Sequence, residues 1–517
     1  MIANAQPLFS SRIRQPLFRW IGAGILGLLA GCSDGSPGGQ QGKYKHVLLI
    51  SLDTTRADAL AVYGGTAAKT PRLDKLANSG ARFEQTTSAA PSTLASHTSI
   101  MTGLYPRRHG VARNAFRVNG ENVMMAEVLS DNGFHTAGFA GSFAIDQLFD
   151  FNQGFDHWDQ DFSISFDPRH ADQHQRPADQ VTGALLDYVG NFDGSERLFL
   201  FAHYFDVHAP YAPPEPYASQ YMEQWPTSDF GHVDHQITKH QEELIGKKRP
   251  IYNVGLSRKL AESAHGNPLP GDENLSALYA GELAFLDSQI GHLLDGLEAK
   301  GILKDCMVIL TADHGETFWE HGDFWHHGAW VYETNVRVPL LVYLPDGRGR
   351  GRVVAEPVST TDIFPTVLDL LGIPLPEPVA GRSLVGAIDG ETLADRAIFS
   401  EATQPTQAFE DLSTWENQLK SKSVRFGRWK YIQTPYMKYE ELYDLKADPG
   451  ERKNLMKSLT PATQKVLEDL RKKLEAWRLI EDPRDSGFDS TQMEGVQEAL
   501  KALGYIGDLG EIGKGDE

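Results

Sequence analysis

From Lys43 onward, apolar runs of strand length alternate with segments whose apolar residues recur at helical spacing, which predicts an α/β protein with a largely parallel sheet. Residues 46–52 (HVLLISL), 198–204 (LFLFAHY) and 307–312 (MVILTA) read as buried strands, and 135–141 (HTAGFAG) and 339–344 (PLLVYL) as further ones. Helices carry clearer punctuation. Thr70 and Pro71 open one that Gly80 follows, residues 275–297 keep helical spacing, and 91–103 (PSTLASHTSIMTG) starts with hydroxyl residues and stops at glycine. Residues 497–506 (QEALKALGYI) read as an amphipathic helix docking back on the body.

Chemistry collects where the strands end. The first run ends at Asp53, the second leads to Asp206 and His208, and the third ends at Asp313-His314. Ligands of open α/β sheets bind beyond the carboxyl ends of the strands, so these distant residues can converge on one site. In the helix over 91–103, Thr93, Ser96 and His97 stand at i, i+3 and i+4 and share the face of the first turn. A hydroxyl there sits at the positive end of the helix dipole, which favours an alkoxide nucleophile and a bound oxyanion. A threonine hydroxyl still needs a metal or base to activate it, and the Asp and His strand endings are able to hold a metal.

Composition narrows the partners. The 517 residues carry a formal charge of −20, which argues against nucleic acid, because phosphate neutralisation needs a basic surface. A chain this long exceeds a single core, so a large domain with a smaller companion is expected. Mean hydropathy of −0.36 excludes a polytopic membrane protein. The one long uncharged apolar run, residues 20–31, follows Arg12, Arg14 and Arg19 with no acidic residue before it, as in a secretory signal, and is too short to span a bilayer. It ends Leu29-Ala30-Gly31-Cys32, which resembles the lipobox of a bacterial lipoprotein, with Cys32 as the lipidated residue and a linker-like Ser33-Asp34-Gly35-Ser36-Pro37-Gly38-Gly39 after it. An acylated Cys32 leaves Cys306 without a partner, as a small core hydrophobe.

The ordered segments HVLLISLDTTRADALAVYGG, TPRLDKLANSGARFEQTTSAAPSTLASHTSIMTGLYPRRHGV, HYFDVHAPY and LTADHGETFWEHGDFWHHG, followed by RVPLLVY, TTDIFPTVLDLLG, RFGRWKYI and EELYDLKADPGERKNL, resemble the sulfatase family of the alkaline phosphatase superfamily. The resemblance implies a large α/β domain around a mixed, mostly parallel sheet flanked by helices, and a smaller C-terminal α+β domain with a short antiparallel sheet packed by a helix. The expected division is a signal peptide at 1–31, a linker at 32–44, a catalytic domain at 45–395 and a C-terminal subdomain at 396–517. Departures from the pattern are as informative. Sulfatases oxidise a Cys or Ser within C-x-P-S-R to formylglycine, ten residues before the glycine of a following T-G; here that place is Thr93, which cannot become the aldehyde, and the motif's arginine slot holds His97. The family's G-K-W-H segment, which supplies a lysine and a histidine to sulfate, is Gly141-Ser142-Phe143-Ala144, the paired aspartates are Asp53-Thr54, the Asp-Asn metal pair is Asp313-His314, and the late lysine is His327.

This altered set resembles the threonine-nucleophile members of the superfamily: phosphodiesterases, phosphonate hydrolases and phosphoethanolamine transferases. The resemblance implies one divalent metal on Asp53, Thr93, Asp313 and His314, without formylglycine. One histidine among oxygen ligands suits Zn or Mn better than Ca. His208 and His327 would contact the transferred group or help hold a second metal, with Asp206, His321 and His326 as further candidates for that metal or for substrate. His97 would stabilise the developing negative oxygens, and Arg56, Asp58 and Glu316 would be supporting ion pairs or groups that hold the ligands from behind. Lys430 stands either near the mouth of the site or in a structural role.

The expected activity is metal-dependent hydrolysis of phosphate or sulfate esters by Thr93. Phosphate leads, because a threonine ester cannot release sulfate by the elimination open to formylglycine. True sulfuric ester hydrolysis is the alternative, of aryl esters or of glycans, and phosphoethanolamine transfer and a non-catalytic binding lipoprotein come after it. A sulfate or phosphate ester is the expected partner, and the membrane is met only through the lipid anchor. The expected location is a bacterial membrane, most simply the outer one, facing the periplasm or the cell surface. Oligomeric state is not legible.

Overall fold

A strand that is apolar on both faces is stable only where helices cover both, so the uninterrupted apolar runs belong at the centre of a sheet. The computed structural model places them there. It describes residues 43–162, 175–209, 211–221, 272–318, 320–321, 325–404, 415 and 417–479. The expected signal segment with Cys32 and the 497–506 helix lie outside the described residues.

In chain order the elements that matter here begin with β1 (His46–Leu52), α1 (Pro71–Ser79), β2 (Ala81–Phe83), β3 (Thr86–Thr87) and α2 (Thr93–Thr102). There follow β4 (Phe134–Phe139), β5 (His157–Asp159), α3 (Ala178–Gly190), β6 (Arg197–Tyr204) and α4 (Asp272–Ala299). Next are β7 (Cys306–Thr311), β8 (Thr317–Phe318), β9 (Trp325–His326), β10 (Arg337–Val338), β11 (Leu340–Tyr343), β12 (Arg352–Val354), β13 (Val358–Ser359) and α5 (Ile363–Leu371). The chain then runs through β14 (Ile398–Glu401), β15 (Lys422–Phe426), β16 (Trp429–Thr434), β17 (Tyr439–Asp444) and α6 (Pro461–Arg478).

The main sheet has eight strands in the order β12-β2-β11-β7-β1-β6-β4-β5. β1 pairs parallel with both β6 and β7, while β11 runs antiparallel to β7 and β2, so the sheet is mixed and mostly parallel. Along β1 the side chains alternate between faces: Val47 and Leu49 join a core shared with α2 and α5, and Leu48 and Ile50 join one shared with α1, α3 and α4. Every residue of β1 is therefore buried. Its register sets Ser51 beside both His203 and Thr311, so Asp53 and Asp313, each two residues further on, leave the sheet at the same level.

The C-terminal part carries the expected short antiparallel sheet, β14-β15-β16-β17. α6 packs on it through Leu467, Leu470, Leu474 and Trp477 against Val424, Tyr431 and Leu442. Lys430 is structural: its buried Nζ lies 2.8 Å from Glu333 Oε1 and 2.9 Å from Glu451 Oε1. Cutting that cation away would leave two buried carboxylates facing each other. Lys430→Met is expected to lower the unfolding free energy by about 3–5 kcal/mol, read as a shift of the urea midpoint, whereas the exposed control Lys472→Met should leave the midpoint within experimental error.

Candidate active site

β6, β1 and β7 are adjacent and parallel, so the turns that follow them meet at one edge. Just after β1 the chain turns sharply at Thr54, a β-branched residue held at φ 51°, a region such side chains rarely adopt. Its hydroxyl donates to the Val207 carbonyl at 2.6 Å and its amide to Asp313 Oδ1 at 3.2 Å, which ties the three strand ends together. Gly315 is required by the close approach of a neighbouring loop, since a Cβ there would stand 2.2 Å from the Thr334 carbonyl oxygen.

Asp53, Asp313 and His314 converge within this knot, all fully buried, with one ligand atom of each inside 4.8 Å of the others. His314 Nδ1 donates to the Gly315 carbonyl at 3.1 Å, so Nε2 keeps its lone pair and points it at Asp313 Oδ2, 3.3 Å away, and Asp53 Oδ1, 3.8 Å away. Burial pushes the Asp53 carboxyl up to about 7, opposed by His314 and by the Thr93 hydroxyl beside it. Asp313 is raised by burial and then by the charge of Asp53.

α2 brings the hydroxyl. All ten of its residues are buried, and its polar side chains must therefore find partners inside the protein. Thr98, Ser99 and Thr102 return their hydroxyls to the carbonyl one turn back, at 2.7, 3.1 and 2.7 Å, and Ser96 donates to the Asp313 carbonyl at 2.7 Å. Thr93 is treated differently. Its Oγ1 stands by the Asp53 carboxylate, near enough to help hold that group's pKa down but outside hydrogen-bond geometry, and has no hydrogen-bond partner. The helix start is less open than the sequence suggests, because Asn114 Oδ1 accepts from the Leu94 amide at 2.8 Å.

A second group lies alongside. Glu316, His326 and His327 also bring three ligand atoms within 4.8 Å of one another, and the His327 ring is 4.3 Å from that of His314. Glu316 Oε1 faces His327 Nδ1 at 3.1 Å, and Tyr211 donates its hydroxyl to Oε2 at 3.1 Å. His208 stacks on Phe205 and lies 4.9 Å from the His327 ring. It gives its Nδ1–H to the Ala209 carbonyl at 2.5 Å, which leaves Nε2 buried with no hydrogen-bond partner. Burial, followed by the neighbouring histidines, holds His208 and His327 well below the usual imidazole range.

Three expected site residues are placed elsewhere. His97 does share the face of Thr93, but its ring is fully buried: Nδ1 bonds the Thr93 carbonyl at 2.7 Å and Nε2 the Ser51 hydroxyl at 2.8 Å. With both nitrogens engaged it braces the site from behind and does not present a donor to a transferred group. Asp206 turns to the start of α3, where Oδ1 accepts from the Ala178 amide at 2.9 Å. His321 stacks on Tyr332 with ring centroids 3.7 Å apart and belongs to neither ligand group. Arg56 pairs with Asp58 and Glu320, as a supporting residue should.

One functional contact escapes sequence reading, and a second, Glu316, is read there only as a supporting group. His203 lies inside the apolar run of β6; its Nδ1 accepts from the Gly141 amide at 3.4 Å, so Nε2–H donates to Asp53 Oδ2 at 3.2 Å. Glu316 reaches the histidines only because the β8–β9 hairpin folds His326 back opposite Thr317. The adjacency of Glu316 to the DH pair was the one signal available for it.

The donor set fits a divalent cation. Asp53 Oδ1, Asp313 Oδ2 and His314 Nε2 are electron-rich, buried and without hydrogen-bond partners, and Thr93 Oγ1, in the same state, stands beside Asp53. Bringing such atoms together without a compensating charge costs several kcal/mol. A cation bound by them removes that cost, and the His314 Nδ1 bond to a carbonyl is the orienting contact typical of a metal-bound imidazole.

Comparison with known proteins gives the same fold. A family model described as Sulfatase matches residues 45–373, and one described as N-sulphoglucosamine sulphohydrolase, C-terminal, matches 319–479. The chain is 27% identical over 472 residues to an arylsulfatase of Clostridium perfringens, covering 80% of this chain and 90% of that protein. It is 24% identical over 496 residues to an N-acetylglucosamine-6-O-sulfatase of Bacteroides thetaiotaomicron, covering 83% and 85%. Among solved structures, a protein in complex with its substrate D-glucosamine-2-N,6-O-disulfate superposes with TM-score 0.65 at 22% identity, over 86% of this chain and all of that one. The phosphonate monoester hydrolase of Agrobacterium radiobacter superposes with TM-score 0.64 at 22% identity, over 84% and 95%.

Metal-free protein titrated with Zn or Mn is expected to gain about 3 kcal/mol of stability at a hundredfold excess of free ion over its Kd. The gain, read as a shift of the thermal midpoint, should vanish in Asp313→Asn and persist in His321→Ala.

Proposed function

This chain belongs to the sulfatase family and is an ester-bond hydrolase, and from that premise we propose that it cleaves sulfate or phosphorus esters with Thr93 as nucleophile and a divalent cation as cofactor. The observation that carries the reading is the Thr93 hydroxyl: it is the buried side chain at the start of α2 that stands beside the Asp53 carboxylate with no hydrogen bond of its own. It occupies the place where the family's formylglycine would stand, and a threonine cannot be oxidised to that aldehyde.

Asp53, Asp313, His314 and Thr93 would hold the cation, with Zn or Mn suiting this one-histidine set better than Ca. Such a cation lowers the pKa of a bound hydroxyl and neutralises charge on the group being transferred. The chain's own residues do the rest. The knot at Thr54 and the bond from His203 hold Asp53 in place, and the start of α2 aims Thr93 Oγ1 with the helix dipole favouring its ionised form. Attack by Oγ1 on sulfur or phosphorus expels the ester oxygen as the alcohol and leaves the group esterified to Thr93; water then hydrolyses that ester and restores the hydroxyl. His208 and His327, next to His314, line the same site.

Sulfuric esters come first as the substrate class, because the relatives are named arylsulfatase and N-acetylglucosamine-6-O-sulfatase. This reverses the order read from the sequence. Phosphorus esters remain the second reading on one specific observation: the residues in place of the sulfate-binding lysine and histidine are Ser142 to Ala144, buried and without a cation. The proposed setting is an exported protein held to a bacterial membrane by lipid on Cys32; among the described residues no helix is long and apolar enough to cross one.

Thr93→Ala is expected to reduce turnover of p-nitrophenyl sulfate, p-nitrophenyl phosphate and p-nitrophenyl phenylphosphonate by at least about 10³-fold, while Thr93→Ser keeps measurable activity. Undiminished turnover in Thr93→Ala contradicts the nucleophile. Cys32→Ala is expected to move the protein from the membrane pellet to the soluble fraction on detergent-free lysis; an unchanged distribution contradicts the anchor.

A further inference from the structure

The turn that presents Asp53 is held from the side of α4. Thr54 keeps its left-handed backbone at φ 51°, a conformation that a β-branched side chain adopts only when its surroundings impose it. Its amide and hydroxyl are committed to Asp313 Oδ1 and the Val207 carbonyl. Its carbonyl meets α4, where the Tyr279 hydroxyl donates to it at 2.8 Å, and the same phenol oxygen accepts from the Arg56 amide at 2.9 Å. A carbonyl and an amide two residues apart thus bond one group that both donates and accepts, which among aromatic side chains is the capacity of a phenol. Tyr279 is buried, so a turn deprived of that hydroxyl would leave polar backbone groups unmatched in the interior.

Arg56 carries the brace onward. Its Nη1 donates to the Glu316 carbonyl at 3.1 Å, and its Cγ lies so near Gly315 that a Cβ there would stand 3.2 Å from it. The turn after β1, with Asp53, and the turn after β7, with Asp313 and His314, are therefore tied to each other and to α4 through a single hydroxyl. The ring itself is fixed by other contacts. It meets Tyr211 and Phe318 edge to face, with centroids 5.7 and 5.1 Å away and interplanar angles of 89° and 74°. Phenylalanine would serve that packing equally well, which leaves the turn as the place where the hydroxyl acts.

We propose that Tyr279 is a positioning residue for the cation site, its hydroxyl holding the Thr54 turn so that Asp53 faces Asp313 and His314. The proposal rests on the reading of that site and deepens it. Tyr279 touches neither the ion nor the substrate and acts through Thr54 and Arg56. Without the hydroxyl the strained turn relaxes toward an ordinary backbone, and the Asp53 carboxylate moves out of reach of an ion held by the other two ligands, while the ring stays packed.

Tyr279→Phe tests this in the full chain, stripped with chelator and titrated with Zn against a competing chromophoric chelator. Its Zn affinity is expected to fall about 10–100-fold, the usual cost of removing a group that orients a ligand from behind. The matched control is Tyr204→Phe, which also removes a buried phenol from a 2.9 Å hydrogen bond, to Thr182. It faces α3 and should leave the affinity unchanged. Saturation with Co gives a spectroscopic readout: the visible bands, which report coordination geometry, should change in Tyr279→Phe and match wild type in Tyr204→Phe. Circular dichroism and the thermal midpoint of the metal-free chains establish that both variants fold. Wild-type affinity and bands in Tyr279→Phe would overturn the positioning role and leave the cation site standing, as would equal losses in the two variants. Failure of wild type itself to bind Zn or Co would overturn the cation site and the role of Tyr279 with it.

Discussion

Two carboxylates and an imidazole lone pair, buried together at the ends of adjacent strands, are the constraint around which the molecule is arranged. Asp53 and Asp313 sit level because β1 and β7 are in a fixed parallel register, and His314 turns its free nitrogen between them. Left alone, this arrangement is unfavourable, as the upward shifts of both carboxyls record. The surroundings hold it regardless: Thr54 accepts a left-handed backbone, Gly315 admits the Thr334 carbonyl, and His203 donates to Asp53. Strain and unpaired charge concentrated at one point mark a place shaped for binding.

The same economy explains α2. A ten-residue helix with every side chain buried and many of them hydroxyls has little solvent to turn to, so Thr98, Ser99 and Thr102 bond back along the helix. Thr93, one residue into the helix, has no turn behind it to bond to. Its hydroxyl is left beside the Asp53 carboxylate without a hydrogen-bond partner.

Much of this was legible in the sequence. A buried strand that ends in Asp or Asp-His reports both the fold and the edge at which ligands meet, and so Asp53, Thr93, Asp313, His314, His208, His326 and His327 could be named before any coordinates. What could not be read depends on side-chain direction. His97 has the right spacing from Thr93, yet its ring reaches across to Ser51 on β1. Asp206 has the right position after β6, yet the start of α3 lies close enough to claim it. His203 looks like one more residue of an apolar strand, and only the inter-strand register shows that it faces Asp53. Substrate choice lies further still from the sequence, because the buried Ser142, Phe143 and Ala144 name no ligand of their own.

The central claim is that Thr93 becomes covalently esterified during turnover. The most direct measurement is acid quenching of the metal-loaded enzyme during steady-state hydrolysis of an activated ester, followed by peptide mass spectrometry of the segment containing Thr93. The account predicts a sulfuryl or phosphoryl group on Thr93 that is present during turnover and absent once substrate is exhausted. Turnover that proceeds with Thr93 unmodified at every time point, or with the group on another residue, would contradict it.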